Sequence, residues 1–280
     1  MRAGCREGRA TGQMESKQSE LGRVWHYRRF IAGTVLREFK GKFNRSILGA
    51  LWLLLAPFAM ISIYTLVFSH VMNARFSGAA GPYSYSIFIC AGLLPWQWFS
   101  ELLSRNVGLF VDNAGLIKKN NFPRMALPVI NFCASGVNFL LAVLVFLVFL
   151  LAVGQWPGWP MLLAIPLLLL QSAFASVLGF FLGVLNVFFR DVANAMALIL
   201  QFWFWFTPII YHADVLSPRV AGYLALNPLM PVFQGYQGIF LEQAVPDWSA
   251  LLPLVAFVAV MLPLTFWFYR RVGAEIVDEL

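Results

Sequence analysis

The sequence predicts an all-α integral membrane protein: six transmembrane helices, an amphipathic interface helix before them, and a broken apolar segment on the outer side. Three observations carry this. Hydrophobic residues make up 60% of the 280-residue chain and mean hydropathy is +0.73, well above the composition of soluble domains. Charged residues amount to only 12%, and eleven of the twenty basic ones fall within the first 46 positions. Apolar runs of the roughly 20 residues needed to cross a bilayer core recur along the chain.

The first run is Ile47 to Met72, interrupted by Pro57, which a membrane helix tolerates as a kink. The others are Tyr85 to Val111, Ala126 to Val153, Met161 to Phe188, Ala193 to Tyr211 and Ser249 to Tyr269. An even number of spans puts both termini on one side, and charge asymmetry selects it. The leading tail, the loop holding Lys118, Lys119 and Arg124, Arg190, and Arg270 with Arg271 all fall on one face. Only Arg75 and Arg219 fall on the other. By the positive-inside rule both termini are cytoplasmic. The net charge of +7 is thereby explained by the membrane rather than by nucleic acid.

The expected organisation is a disordered cytoplasmic tail at 1–20, an interface helix at 21–46, a six-span domain at 47–270 and a cytoplasmic tail at 271–280. The start has no signal-peptide core, and Met14 is an alternative initiator to Met1. Within Leu21–Phe43, apolar residues including Ile31, Val35, Leu36 and Phe39 fall within an arc of about 140° at 100° per residue. Such a helix lies in the inner interface, or serves as a plain juxtamembrane segment. The segment Asn227–Glu242 is apolar but broken by Pro228, Pro231 and two glycines, and is too short to cross. It is either re-entrant or a folded outer loop.

Hydrolytic chemistry is not indicated. His26, His70 and His212 are far apart, and HExxH and GxSxG motifs are missing. Gly41-Lys42 is followed by Phe43, so the nucleotide-cradling GxxxxGK[ST] loop is missing too. Cys5, Cys90 and Cys133 show neither metal nor disulfide spacing.

Polar residues within the spans are periodic. Asn194, Gln201, Trp205 and His212 share one face of a continuous helix, and a polar face in lipid turns toward the bundle interior or a wet pathway. The run Phe202–Phe206 surrounds that helix with aromatic rings, serving either packing or pathway lining. Asn131, Ser135 and Asn138 suit helix–helix hydrogen bonding, and Ala175, Gly179 and Gly183 form a small-residue ridge for close approach. Glu101 and Arg105 form an i, i+4 pair, and Arg190 with Asp191 forms a helix-end brace.

Taken in order, "FKGKFNRSILGALWLLLAPFAMISIYTLVF" (39–68), "GLLPWQWFSE" (92–101), "LIKKNNFPRMALP" (116–128), "FFRDVAN" (188–194), "TPIIY" (207–211) and "LNPLMP" (226–231) resemble one family. It is the membrane subunit of ABC type-2 polysaccharide exporters, which carry O-antigen, capsule or teichoic-acid polymers. The resemblance spans about Arg28 to the C-terminus. One departure is Asn120-Asn121, where the family commonly has an aliphatic or aromatic residue after the lysine pair.

The resemblance implies a homodimer joined to two separate ATPase subunits, which hold ATP and Mg while this chain binds no cofactor or metal. It implies a bacterial inner-membrane location, a lipid-linked polysaccharide cargo and outer re-entrant gate helices containing Asn227, Pro228 and Pro231. ATPase docking falls to Lys118, Lys119, Phe122 and Arg124. Trp96, Trp98, Gln201, Phe202, Trp205 and Phe206 become candidates for the polymer path. A permease for a small molecule or lipid is the alternative, and a polytopic glycolipid-modifying enzyme a more distant one.

Overall fold

The computed structural model describes residues 27–43, 51–71, 83–118, 124–212, 217–273 and 275–280. Secondary structure among them is helical throughout. Helix α1 is Arg28–Phe43 and α2 is Trp52–Val71, with Pro57 inside it. Helix α3 is Ser84–Val107, followed after Gly108 by two single turns, α4 (Leu109–Asp112) and α5 (Ala114–Ile117). Helix α6 is Ala126–Val153; a 3-10 turn at Trp159–Leu163 leads into α7, Ala164–Phe188. Helix α8 is Asp191–Trp205, α9 Pro218–Leu224, α10 Met230–Glu242, α11 Leu252–Val272 and α12 Glu275–Glu279.

Among the described residues, four stretches have the length and apolarity of full crossings: Ser84–Val107, Ala126–Val153, Trp159–Phe188 and Ser249–Val272. Helix α2, with 20 residues, reaches about 30 Å, the thickness of the hydrocarbon core. The fifth span departs from expectation. It stops at Trp205 after 15 residues, about 22 Å, instead of continuing to Tyr211. Pro208 is the reason: its ring excludes helical geometry at Thr207 and cannot accommodate the carbonyl of Phe204.

Helix α3 is the hub. Of its apolar window 83% is buried inside the bundle, against 17% for α6 and for α11. It packs on α7, α6, α10, α2 and α8. The tightest seam is with α7, where Gly179 and Gly183 face Leu103 and Asn106. A Cβ on Gly179 would lie 2.7 Å from the Cβ of Asn106, and one on Gly183 would collide with the Asn106 carbonyl oxygen. The small-residue ridge is therefore spent within one chain.

A separate apolar cluster closes one end of the bundle. Ile31 of α1, Leu109, Phe110, Ile117, Ala126, Leu127, Val184 and Ile276 of α12 are buried together. Helices α1 and α12, near the two termini, therefore meet at the same end of the bundle. Phe110, Phe180 and Tyr269 pack together there with centroid distances of 5.3–6.0 Å, Phe180 meeting the other two rings edge to face. Leu36 departs from the expected apolar face of α1, being 55% exposed. At the other end, Asp247 Oδ1 accepts from the Ser249 amide, the Ser249 hydroxyl and the Ala250 amide. These bonds cap the last span and hold the carboxyl below its ordinary pKa.

Gly183→Ala should lower stability by about 1–3 kcal/mol, because the Asn106 carbonyl is backbone and cannot swing aside. Gly136→Ala, with nothing near its Cβ, should cost no stability. Thermal unfolding in detergent compares the two, and equal midpoints would refute the close seam.

Candidate functional site

Where α8 ends, the backbone of residues 206–211 is irregular, and within it Thr207, Pro208 and Ile209 are buried, Thr207 and Ile209 fully. Hydrocarbon offers no partner to an open carbonyl, so such a break survives only where protein satisfies it. Side chains do so almost one by one. Thr207 Oγ1 donates to Trp203 O at 2.9 Å, and Tyr211 OH donates to Trp205 O at 2.6 Å. Gln237 Nε2 donates to Pro208 O at 2.9 Å and to Ile209 O at 3.3 Å. Tyr85 OH donates to Ile210 O at 2.7 Å.

Asn227 holds the centre. It occupies the turn between α9 and α10, and its amide makes four contacts. Oδ1 accepts from Trp203 Nε1 at 3.0 Å and from the Leu229 amide at 3.1 Å. Nδ2 donates to Phe206 O at 3.0 Å and to Thr207 Oγ1 at 2.9 Å. Pro228 is half-buried beside it. Pro231, also half-buried, sits in the first turn of α10, where a missing N–H costs nothing.

Helix α10 is no outlying loop. Phe233 packs against Trp96, with ring centroids 5.8 Å apart, and Trp96 lies about 18 Å along α3. The N-terminal end of α10 thus reaches half-way down the bundle, while Glu242 at its other end is exposed. Tyr236 OH donates to Gln171 Oε1 at 2.8 Å, and Gln171 Nε2 donates to Pro95 O at 2.9 Å. These bonds tie α10, α7 and α3 in series. Gly92 lets the break come close, since a Cβ there would be 3.2 Å from Gln237 Nε2 and from Ile209.

The polymer-path candidates divide. Trp96 and Trp98 are 5% and 7% exposed. Trp96 is enclosed by Phe99, Phe204 and Phe233. Trp98 stacks on Phe139 at 4.6 Å and donates from Nε1 to Ser135 Oγ at 3.2 Å. Both are packing residues of the chain interior, because "LLPWQW" lies on the hub helix. By contrast Phe202, Trp205 and Phe206 are 65%, 60% and 58% exposed, and Gln201 and Asn194 are exposed on the same side. His212 does not share that face: the helix has ended, and its ring stacks on Phe88 at 4.1 Å.

At the end where the termini meet, Arg105 bonds Glu101 as expected, but also Glu38 of α1, at 2.9 and 2.7 Å. Asn131, Ser135 and Asn138 all bond α3. Arg190 and Asp191 are exposed, and no ion pair joins them among the described residues; exposed charges at a membrane end gain more from water than from each other. Asn186 makes the brace instead, donating to Val107 O at 3.2 Å and accepting from the Ala193 amide at 3.1 Å. Lys118 is exposed at the end of α5. Arg124 Nη1 donates to Gly273 O at 2.8 Å, which fastens the start of α6 to the end of α11. Lys119 and Phe122 lie outside the described residues.

Residues 32–241, three quarters of the chain, match the ABC-2 type transporter family. The chain belongs to that family. This ABC-2 permease is 33% identical to the O-antigen export system permease protein RfbA of Myxococcus xanthus, over 85% of its own length and 90% of the relative's. It is 31% identical to an RfbA of Klebsiella pneumoniae, covering 74% and 78%. The polysialic acid transport protein KpsM of Escherichia coli is 24% identical, covering 84% and 90%. The matched region contains the α8 break, the α9–α10 hairpin and the Arg105 contacts. The ABC-2 permease is thus a membrane-spanning transport protein.

Asn227→Ala would strand the Trp203 indole, the Leu229 amide and the Phe206 carbonyl, at a combined cost of about 2–4 kcal/mol. Residues 217–242 should then exchange their amide hydrogens faster, while α6 is unchanged. Unaltered exchange in the hairpin would mean the clasp carries no weight.

Proposed function

We propose that this chain is the permease subunit of an ATP-driven exporter moving a lipid-linked polysaccharide, of the O-antigen or capsule kind, across the bacterial cytoplasmic membrane. The observation that carries this is the uncovered aromatic edge of α8, formed by Gln201, Phe202, Trp205 and Phe206. Sugar rings present C–H-rich faces that stack on aromatic rings without one fixed hydrogen-bond pattern, which suits a polymer in motion. The names of the relatives support the same cargo.

A second copy facing α8 would convert the edge into the wall of a homodimeric channel. The α9–α10 hairpin, through Asn227, Pro228 and Pro231, gates its outer exit. Two separate ATPase subunits, carrying ATP and Mg, supply the energy. They dock near Lys118, Lys119, Phe122 and Arg124, at the end where the termini meet, and this end faces the cytoplasm under the positive-inside rule. Arg124 is already bonded to Gly273 O, so force applied there reaches the last span directly.

Trp205→Ala should slow polymer export several-fold, the loss of roughly 1 kcal/mol of stacking per sugar contact, without lowering protein level in the membrane. A matching fall in protein level would make it a packing residue. Reversing both lysines, Lys118→Glu with Lys119→Glu, should uncouple ATP hydrolysis from export in proteoliposomes containing permease and ATPase. Normal export by that variant would remove the docking assignment. Transport of a bare lipid but not its glycan-bearing form would point to a lipid permease instead.

A further inference from the structure

We infer that Arg105 is the positioning residue that couples the interface helix α1 to the hub helix α3 and, through it, to the α9–α10 hairpin. Its Nη2 donates to Glu38 Oε1 at 2.7 Å and its Nε to Glu101 Oε1 at 2.9 Å. Its backbone carbonyl accepts Asn131 Nδ2 at 3.0 Å, and Glu101 Oε1 also accepts Asn138 Nδ2 at 2.9 Å. The guanidinium thus joins α1 to α3, while the Arg105 carbonyl and the Glu101 carboxylate join α3 to α6.

The character of these contacts suits a moving joint. The side chains of Arg105, Glu38 and Glu101 are 23%, 29% and 32% exposed, so water reaches the pair. An ion pair with access to water separates without stranding a charge in hydrocarbon, whereas a dry one would not. Helix α1 is also held by apolar contact, through Ile31 and its neighbours, and apolar contact tolerates sliding. A charge-assisted hydrogen bond is directional. The Glu38–Arg105 contact therefore fixes which way α1 faces, and transmits its displacement to α3.

Helix α3 then carries that displacement to the gate. Arg105 and Tyr85 are at opposite ends of it, about 30 Å apart along the axis. Tyr85 holds the Ile210 carbonyl of the break, and Pro95 is joined through Gln171 to Tyr236 of α10. A helix packed on most sides cannot shift at one end without disturbing the clasp at the other. This route runs beside the lysine loop and does not need it. It rests on the export reading only for the source of motion.

The test uses the permease assembled with its ATPase in lipid nanodiscs and in proteoliposomes. Amide exchange over residues 217–242 is measured with and without a non-hydrolysable ATP analogue and without cargo, beside export per ATP hydrolysed. In the wild type, nucleotide should change exchange in that segment. In Glu38→Gln and Arg105→Gln the nucleotide-induced change and the export per ATP should fall about tenfold, with thermal stability retained. The double variant should be no worse than either single, since both act through one contact. Glu101→Gln, which spares the Glu38 contact, should be milder.

Three results would overturn the inference: no nucleotide effect in the wild type, an undiminished effect in Glu38→Gln, or a loss of stability that tracks the loss of coupling. If the relay responds as expected but no glycan-bearing lipid is moved, the export reading fails and the relay stands. If glycan moves and Glu38→Gln behaves as wild type, the relay alone fails.

Discussion

A bilayer core cannot hydrogen-bond to an open backbone carbonyl, and the fifth span of this protein is broken inside the bundle. Much of the arrangement answers that one constraint. The carbonyls of Trp203, Trp205, Phe206, Pro208, Ile209 and Ile210 are each claimed by a side-chain donor. Two of the donors, Asn227 and Gln237, come from the hairpin turn and α10. The hairpin is thus drawn deep into the bundle because the break needs it there. Gly92 and the length of α3 make the approach possible.

The two ends of the bundle are held by different physics. At the broken end, neutral amides and hydroxyls satisfy the backbone, and an indole steadies the Asn227 amide. At the other, an apolar cluster joins both termini, and a partly solvated arginine ties α1 to the hub. Neutral hydrogen bonds suit a buried clasp because breaking them strands no charge. Solvated ion pairs suit an exposed joint because water stabilises both the open and the closed form. Helix α3 takes part in both ends, which makes it the natural path between them.

Much of this was legible from local patterns. The limits of α6 follow from its apolar run alone, and Asn131, Ser135 and Asn138 were readable as helix–helix hydrogen-bonding residues from their spacing. The early stop of α8 was written in Thr207-Pro208, but apolar content extended the expected span beyond it. Gln171 and Gln237 also carried a signal, as lone amides in apolar runs that must find partners. Which partners they find has no local mark. Glu38 lies 67 positions from Arg105, and no periodicity links them.

By itself the sequence determined the membrane class, the approximate place of the long apolar helices, and the family. These depend on run length and motif order, which are properties of the chain read in one direction. Only the tertiary structure decided which polar and aromatic residues meet and which stay uncovered. Trp96 and Trp205 look equivalent as letters, but one is enclosed on the hub helix and the other is exposed on the broken one. The physical reason is that helical spacing assigns a residue to a face, while what that face touches is set by how the helices pack.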